Sequence, residues 1–182
     1  MKHLTVKEKE AGAYEKMKEV FHYKNPMAAP RIMKVVINTG TGTAMKKDKN
    51  KNEVITLRLA KITGQKPSLR GAKQSISSFK VRQGDPIGAM VTLRGKRMYA
   101  FLEKLINVAL PRTKDFRGIK RDAVDSVGNL TIGIKEHTIF PETADEDIKD
   151  IFGMSVTLIS TARNKKEGLA FFENLGVPFK KE

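Results

Sequence analysis

The chain has 182 residues, 40% of them hydrophobic, which is enough for one folded domain with a real core. It has no cysteine, which excludes disulfides and thiolate metal sites, and its three histidines are too isolated to share a metal. Its 35 Lys and Arg against 20 Asp and Glu give a net charge of +15, which favours a nucleic-acid partner over the alternative of an anionic membrane surface.

The first predicted element is a helix. Residues 5–8 (Thr-Val-Lys-Glu) form a capping-box sequence, and the chain after Met1 lacks the apolar core of a secretory signal. Ala13, Met17 and Val20 recur at helical spacing, so we expect them on the buried face. The Asn-Pro pair at residues 25–26 ends this segment.

The next elements alternate between strands and helices. Residues 32–38 and 87–94 have the two-residue alternation of half-buried strands. Between them, Ile55, Leu59 and Ile62 indicate a helix, and Gly64 is suited to its C-terminal cap. Residues 71–86 show no firm pattern and are expected to form a long, mobile loop.

The second half of the chain repeats this alternation. Residues 96–109 have a helical apolar face, and residues 165–175 predict a last helix before a glycine. Residues 130–134 and 154–160 alternate as strands do. The apolar residues expected on the helix at 96–109 are Met98, Phe101, Leu102, Leu105 and Val108.

These elements predict a single α+β domain over residues 1–182, with two layers: an antiparallel sheet, and helices packed on one of its faces. Apolar strand residues would then face the helices, and the opposite polar face would stay open to RNA. The polar strand residues assigned to that face are Lys34, Asn38, Thr92, Arg94, Thr131, Lys135 and Thr157.

Charge is distributed unevenly along the chain. Residues 61–120 carry 14 basic and 3 acidic residues, whereas residues 121–182 carry 8 basic and 11 acidic residues. The acidic run at 142–150 lacks the spacing and central glycine of a calcium loop. We therefore expect this run to face protein or solvent rather than RNA.

Catalytic and cofactor motifs are not apparent. The Gly-Thr-Gly at residues 40–42 follows a predicted strand, but Met45 replaces the third glycine of a dinucleotide fingerprint, so a glycine turn is favoured. No combination of nucleophile, base and electrophile stands out. The basic residues also do not lie on one aromatic-rich amphipathic helix, which disfavours a membrane-surface module. We expect no enzyme activity, metal or cofactor.

Two residues have competing interpretations. Phe79, between Lys73 and Arg82, is either a core anchor for the loop or an exposed aromatic that packs on a nucleotide. Arg94 is either a solvated charge at a strand end or part of an RNA surface with Thr92.

Several segments resemble one family. They are 64–67 (Gly-Gln-Lys-Pro), 79–84 (Phe-Lys-Val-Arg-Gln-Gly), 86–88 (Pro-Ile-Gly), 91–95 (Val-Thr-Leu-Arg-Gly), 111–112 (Pro-Arg), 115–118 (Asp-Phe-Arg-Gly) and 139–142 (Ile-Phe-Pro-Glu). Together they are similar to the bacterial large-subunit ribosomal proteins that bind 5S ribosomal RNA. Two segments, residues 46–52 and 121–125, depart from the family pattern and leave local loop contacts open.

The resemblance implies a non-enzymatic protein of the cytoplasmic ribosome that anchors 5S rRNA in the central protuberance. Its other implied partners are 23S rRNA, P-site tRNA, neighbouring large-subunit proteins and a basic small-subunit head protein. The 5S rRNA-binding residues that match the family are Asn38, Gln65, Thr92 and Arg94, and Lys34 joins them by its place on the polar strand face. The tRNA-facing residues of the loop are Lys73, Ser77, Phe79, Lys80 and Arg82.

Overall fold

The computed structural model describes residues 4–42, 51–114, 116–143 and 151–180. The helices are α1 (Val6–Ala11), α2 (Ala13–Phe21), α3 (Lys51–Thr63), α4 (Gly95–Lys104) and α5 (Lys165–Leu175). The strands are β1 (Ile32–Gly40), β2 (Ser68–Gly71), β3 (Pro86–Leu93), β4 (Leu130–Ile134) and β5 (Met154–Ser160).

The five strands form one antiparallel sheet in the order β2-β3-β1-β5-β4, so the predicted α+β class is confirmed. Within the described ranges, no helix combines the length and apolar composition needed to span a membrane.

The chain divides into two compact units. Unit 1 is Met1–Val35, Leu93–Ile132 and Thr157–Glu182, and unit 2 is Val36–Thr92 and Gly133–Val156. The single domain over residues 1–182 stays a prediction.

The N-terminal helices of unit 1 confirm the capping box but correct the predicted core face. The Thr5 hydroxyl accepts from the Glu8 N–H at 3.2 Å, and the Glu8 carboxylate accepts from the Thr5 N–H at 2.7 Å. The helical segment is interrupted at Gly12, which caps α1 and begins α2. Ala13 and Met17 are buried as predicted, but Val20 is 70% exposed, so its assignment to the core was wrong.

The helix predicted at residues 96–109 has a change of geometry inside it. α4 ends at Lys104, and the chain continues as a π-helix over Leu105–Ala109, where the Leu110 N–H donates to the Leu105 carbonyl at 2.9 Å. A wider π turn shifts the helical phase of the residues that follow. Val108 is therefore exposed rather than buried, while the other four predicted core residues of this helix are buried.

The last helix begins and ends where the sequence predicted. The Asn164 side chain accepts from the Glu167 N–H at 2.9 Å, and Gly176 adopts φ +93° beyond the final turn. The buried Glu167 carboxylate accepts from the Tyr23 hydroxyl and from the Arg163 N–H. Burial and this neighbouring carboxylate raise the pKa of Tyr23.

α5 lies against the backbone of a turn at residues 125–129. A Cβ atom added to Gly168 would lie 2.7 Å from the Gly128 Cα and 2.9 Å from the Gly128 carbonyl oxygen. The Asp125 carboxylate holds this turn by accepting from the Val127 and Asn129 N–H groups at 3.1 and 2.7 Å. The absence of a side chain at Gly168 therefore permits a direct approach of helix and turn.

The helix of unit 2 is α3, which has the buried apolar face that the sequence predicts. Ile55, Leu59 and Ile62 are all buried, and Gly64 follows the helix with φ +66°, as predicted. The same helix buries Arg58, whose Nη1 lies 3.3 Å from Nε2 of His137.

Strand β2 lies in a segment for which the sequence predicted no strand. It pairs antiparallel with β3, with Arg70 opposite Gly88. All four of its residues are exposed, so no alternation of apolar and polar side chains marks it. Its stability in the sheet comes from pairing with β3, which a local pattern does not reveal.

Candidate nucleic-acid interface

The outward side of the unit 2 strands carries two of the predicted residues. Along β1, Ile37 is buried and Asn38 is exposed, and along β3, Val91 is buried and Thr92 is half-buried. This alternation follows from the pleat, which sends successive side chains to opposite faces. Asn38 is fixed further because its carbonyl accepts from the Ser155 hydroxyl at 3.4 Å.

Gln65 is joined directly to the Thr92 backbone. Its Nε2 donates to the Thr92 carbonyl at 3.3 Å, and its own N–H donates to the Thr63 hydroxyl at 3.3 Å. These bonds tie the residue that follows α3 to strand β3. The structure thus brings Gln65 and Thr92 together, a pairing that residues 27 positions apart do not reveal in sequence.

Lys34 and Arg94 belong to unit 1. Lys34 lies in β1 and is half-buried. Arg94 is exposed and is the N-cap residue of α4, with extended backbone angles of φ −141° and ψ 162°. The strand predicted over residues 87–94 ends at Leu93, so Arg94 lies one residue beyond it, and its side chain makes no capping hydrogen bond.

The segment between β2 and β3 has a defined internal structure. Its base is closed by the Ala72 N–H, which donates to the Asp85 carbonyl at 2.8 Å, and by the Gly84 N–H, which donates to the Ala72 carbonyl at 3.0 Å. Nearer the tip, Ile76 and Val81 form an antiparallel bridge around a short 3-10 helix, Ser77–Phe79. The loop is therefore a small hairpin rather than an unpatterned connection.

The predicted tRNA-facing residues all lie on the surface of this loop. Phe79 is 59% exposed, which rules out its interpretation as a core anchor. The other four predicted residues are also exposed, and Lys80 adopts φ 52° at the tip. They are Lys73, Ser77, Lys80 and Arg82.

Sequence reasoning missed Arg70 and the glycines near it. Arg70 is exposed on β2, and Gly40 and Gly88 lie at the adjoining ends of β1 and β3. A four-residue strand is too short for its alternation to be recognised, so Arg70 was not assigned to the sheet. The repeated glycines at strand ends were the available signal, because they mark places where another group approaches the backbone closely.

The predicted acidic run is described by the structure only at its start. Residues 144–150, most of the predicted acidic run, lie outside the described ranges, whereas Glu142 is exposed in a short 3-10 helix, Pro141–Thr143. Within the part of the chain that the structure describes, no cluster of three or more His, Asp or Glu side chains is arranged to hold a metal ion. The side chains predicted to bind RNA can donate and accept hydrogen bonds, and their Lys and Arg groups can contact anions.

Two family models match the chain in succession. The model described as "Ribosomal protein L5" matches residues 25–82, and a second model, which describes the C-terminus of the same ribosomal protein family, matches residues 86–179. The chain is 49% identical to the large ribosomal subunit protein uL5 of Trichlorobacter lovleyi, over 91% of this chain and 92% of the relative.

The uL5 proteins of Anaeromyxobacter sp. (strain K) and Spiroplasma kunkelii are 48% and 49% identical to it, over 91% of this chain and 91% and 93% of theirs. Since these relatives are structural proteins of the ribosome, the expectation that the chain is not an enzyme is confirmed. With both family models matched in order, and about half of the residues identical along nine-tenths of its length, the chain belongs to the uL5 family of large ribosomal subunit proteins.

Proposed function

We propose that the chain anchors 5S rRNA in the central protuberance of the large subunit, with 23S rRNA and neighbouring large-subunit proteins as further partners. The observation that carries this proposal is the polar outward side of unit 2, where Asn38 and Thr92 lie on strands and Gln65 is bonded to Thr92. Strands and a bonded helix end are rigid supports, so these groups meet RNA at little cost in conformational entropy.

Each of the proposed 5S rRNA-binding residues has a side chain that can bind a chemical group of RNA. The Asn38 amide and the Thr92 hydroxyl both donate and accept hydrogen bonds, which suits ribose hydroxyls and base edges. Lys34 and Arg94 add positive charge for phosphates. The surrounding sequence supports this assignment, since residues 61–120 carry 14 basic residues against 3 acidic ones.

The anchoring role is tested by substituting Arg94. Arg94→Ala should weaken 5S rRNA binding by about 1–3 kcal/mol if the guanidinium reads a base, and by less if it meets a phosphate. Lys166→Ala is a matched control, because Lys166 is an exposed cation on α5 whose loss changes net charge equally. Titration of 5S rRNA with each folded variant measures the difference. Equal affinity for both variants contradicts the role of Arg94.

We further propose that the loop at residues 71–86 contacts P-site tRNA. Its support is an exposed aromatic ring, Phe79, on a hydrogen-bonded hairpin whose tip carries Lys80 and Arg82. Lys80→Glu should weaken tRNA occupancy of the P site several-fold while leaving 5S rRNA affinity close to that of wild type. Lys166→Glu controls for the charge reversal. Normal P-site occupancy with the Lys80 variant would refute the contact.

The acidic run is proposed to help form a bridge to a basic protein of the small-subunit head. Glu142, its described member, is exposed. Carboxylates are repelled by phosphates and attracted to a basic protein. Asp145→Lys combined with Asp147→Lys should therefore weaken subunit association and leave 5S rRNA affinity unchanged or raised. A large loss of RNA binding in that variant would be the contrary result.

A further inference from the structure

A groove in unit 2 lies between the loop at residues 71–86 and the adjoining ends of β1 and β3. Its volume is about 910 Å³, and the described residues that line it fall within 38–42 and 70–88. This is within the size range, about 300–1,000 Å³, of pockets that hold small ligands. Of the five residues proposed to contact 5S rRNA, Asn38 lines the groove, whereas Gln65, Thr92, Arg94 and Lys34 do not.

The floor of the groove is polypeptide backbone. Gly40 and Gly88 lie there, and a Cβ atom at Gly40 would meet no other atom within 4 Å. Gly88 faces the Thr39 carbonyl oxygen, which would lie 3.2 Å from an added Cβ, and pairs with Arg70. A flat ligand can therefore lie directly on the sheet, in space that side chains fill on an ordinary strand.

One wall of the groove is apolar and aromatic. Phe79 and Ile76 both line it and are 59% and 45% exposed. Their positions are fixed by the Ile76 N–H, which donates to the Val81 carbonyl at 2.9 Å, and by the Val81 N–H, which donates to the Ile76 carbonyl at 3.3 Å. The wall is thus part of the hairpin and stands beside the glycine floor.

The polar groups at the groove are cationic or neutral. Arg70 and Lys73 are exposed among its lining residues, Asn38 adds an amide, and none of the described residues that line the groove carries a carboxylate. An apolar peptide gains little from two cations, whereas a nucleotide uses both surfaces: its base stacks on apolar and aromatic groups while its phosphate meets Arg or Lys.

We infer that the groove holds one unpaired nucleobase of large-subunit ribosomal RNA, which lies on the Gly40 floor and contacts the Phe79 wall. The base is unpaired, because a paired base stays stacked within its duplex and is not free to enter the groove. Arg70 and Lys73 contact the phosphates that flank it. This inference rests on the proposed RNA-binding function and assigns a specific place to one nucleotide. It assigns Phe79 and Lys73 to that nucleotide and leaves the tRNA contact to Lys80 and Arg82, which do not line the groove.

The inference is tested by a substitution that places a side chain on the glycine floor of the groove. Gly40→Leu places a side chain in the groove without backbone strain, because φ at Gly40 is not positive and the space for a Cβ is open. Gly133→Leu is the matched control: Gly133 is also an exposed strand glycine with open space at its Cβ position, but it does not line the groove.

Large subunits are reconstituted with each variant in the absence of tRNA, and their rRNA bases are probed with dimethyl sulfate and a carbodiimide. One unpaired base should be protected by wild type and Gly133→Leu and should become reactive with Gly40→Leu. The hydroxyl-radical footprint on the RNA backbone should stay the same. Phe79→Ala should expose the same base, and Phe79→Tyr should keep it protected.

Affinity for an RNA fragment that carries this base gives the quantitative test. Gly40→Leu should weaken binding about tenfold, equivalent to about 1.4 kcal/mol. That loss lies within the range measured for one stacked base. Removing the base should weaken wild-type binding equally and should have no further effect on Gly40→Leu.

The inference is overturned if Gly40→Leu leaves every base as protected as wild type does, or if the protection appears only when tRNA is added. Failure of the proposed function has a different signature, because wild-type protein then fails to bind 5S rRNA, whatever residue occupies position 40.

Discussion

The close approach of α5 to the turn at Gly128 predicts opposite effects for two Gly→Ala substitutions, one inside α5 and one at the junction between α1 and α2. Alanine in place of glycine stabilises a helix by about 0.5–1 kcal/mol through backbone entropy. At Gly168, the new Cβ would lie 2.7 Å from the Gly128 Cα, and carbon atoms pack best at about 3.5–4.0 Å. The helix or the turn must therefore move by nearly 1 Å, and overpacking of this kind costs about 1–3 kcal/mol.

The clash at Gly168 outweighs the helix propensity because every clashing atom belongs to backbone that Asp125 holds in place. We expect Gly168→Ala to lower the free energy of unfolding by about 2 kcal/mol. Gly12→Ala should raise it by about 0.5 kcal/mol, because Gly12 has φ −80° and its nearest atoms would lie 3.6 and 3.8 Å from a Cβ. Urea unfolding with an unchanged m-value measures both effects. A Gly168→Ala midpoint at or above that of wild type would refute the packing argument.

Three further outcomes are expected. The logarithm of the affinity for 5S rRNA should fall linearly with the logarithm of the salt concentration. Lys34→Gln should reduce the slope of this line by about 1 if that lysine meets a phosphate. A salt-independent affinity would contradict the charge argument. Burial raises the pKa of Asp125, but hydrogen bonds from Asn129 and Val127 outweigh it and hold that pKa below the usual 3.8. The resulting stabilisation is present above pH 3.8 and is lost as pH falls through the lower pKa of the folded state. Asp125→Ala should therefore lower the free energy of unfolding by about 1 kcal/mol near neutral pH and by less in acid, as measured by urea unfolding. Gln65→Ala should lower the midpoint of thermal unfolding, because it removes the bond to the Thr92 carbonyl, whereas Gln83→Ala should leave it unchanged, because Gln83 is bonded through its backbone N–H.

Elements with a strong local pattern were predictable. β5 and α5 have the predicted bounds, because alternation over residues 154–160 and the caps at Asn164 and Gly176 are local signals. Val20 was misassigned although it shares helical spacing with Ala13 and Met17, because it lies in the last turn of α2, which ends at Phe21. Periodicity identifies the face of a helix but does not indicate how far along that face the neighbouring elements cover it.

The sequence was sufficient to identify individual residues of the candidate site, but not the contacts between them. Alternation and family resemblance identified Asn38 and Thr92, and both lie on strands. The bond from Gln65 to Thr92 depends on how α3 and β3 are placed in unit 2, which no local pattern encodes. The groove depends on the hairpin between β2 and β3, and that hairpin is stabilised by pairs such as Ile76 with Val81 whose side chains show no periodicity.

Strand β2 also affects how the protein behaves before it is assembled into a large ribosomal subunit. An edge strand presents unpaired backbone groups, and a long, flat, apolar edge is a template for aggregation with other chains. β2 has only four residues, carries Arg70, and has a register shift between Arg70 and Gly71. Short length, charge and an irregular register are features that prevent strands of two molecules from joining. The sheet edge that borders the groove is therefore protected against self-association while the newly made chain awaits assembly into the subunit.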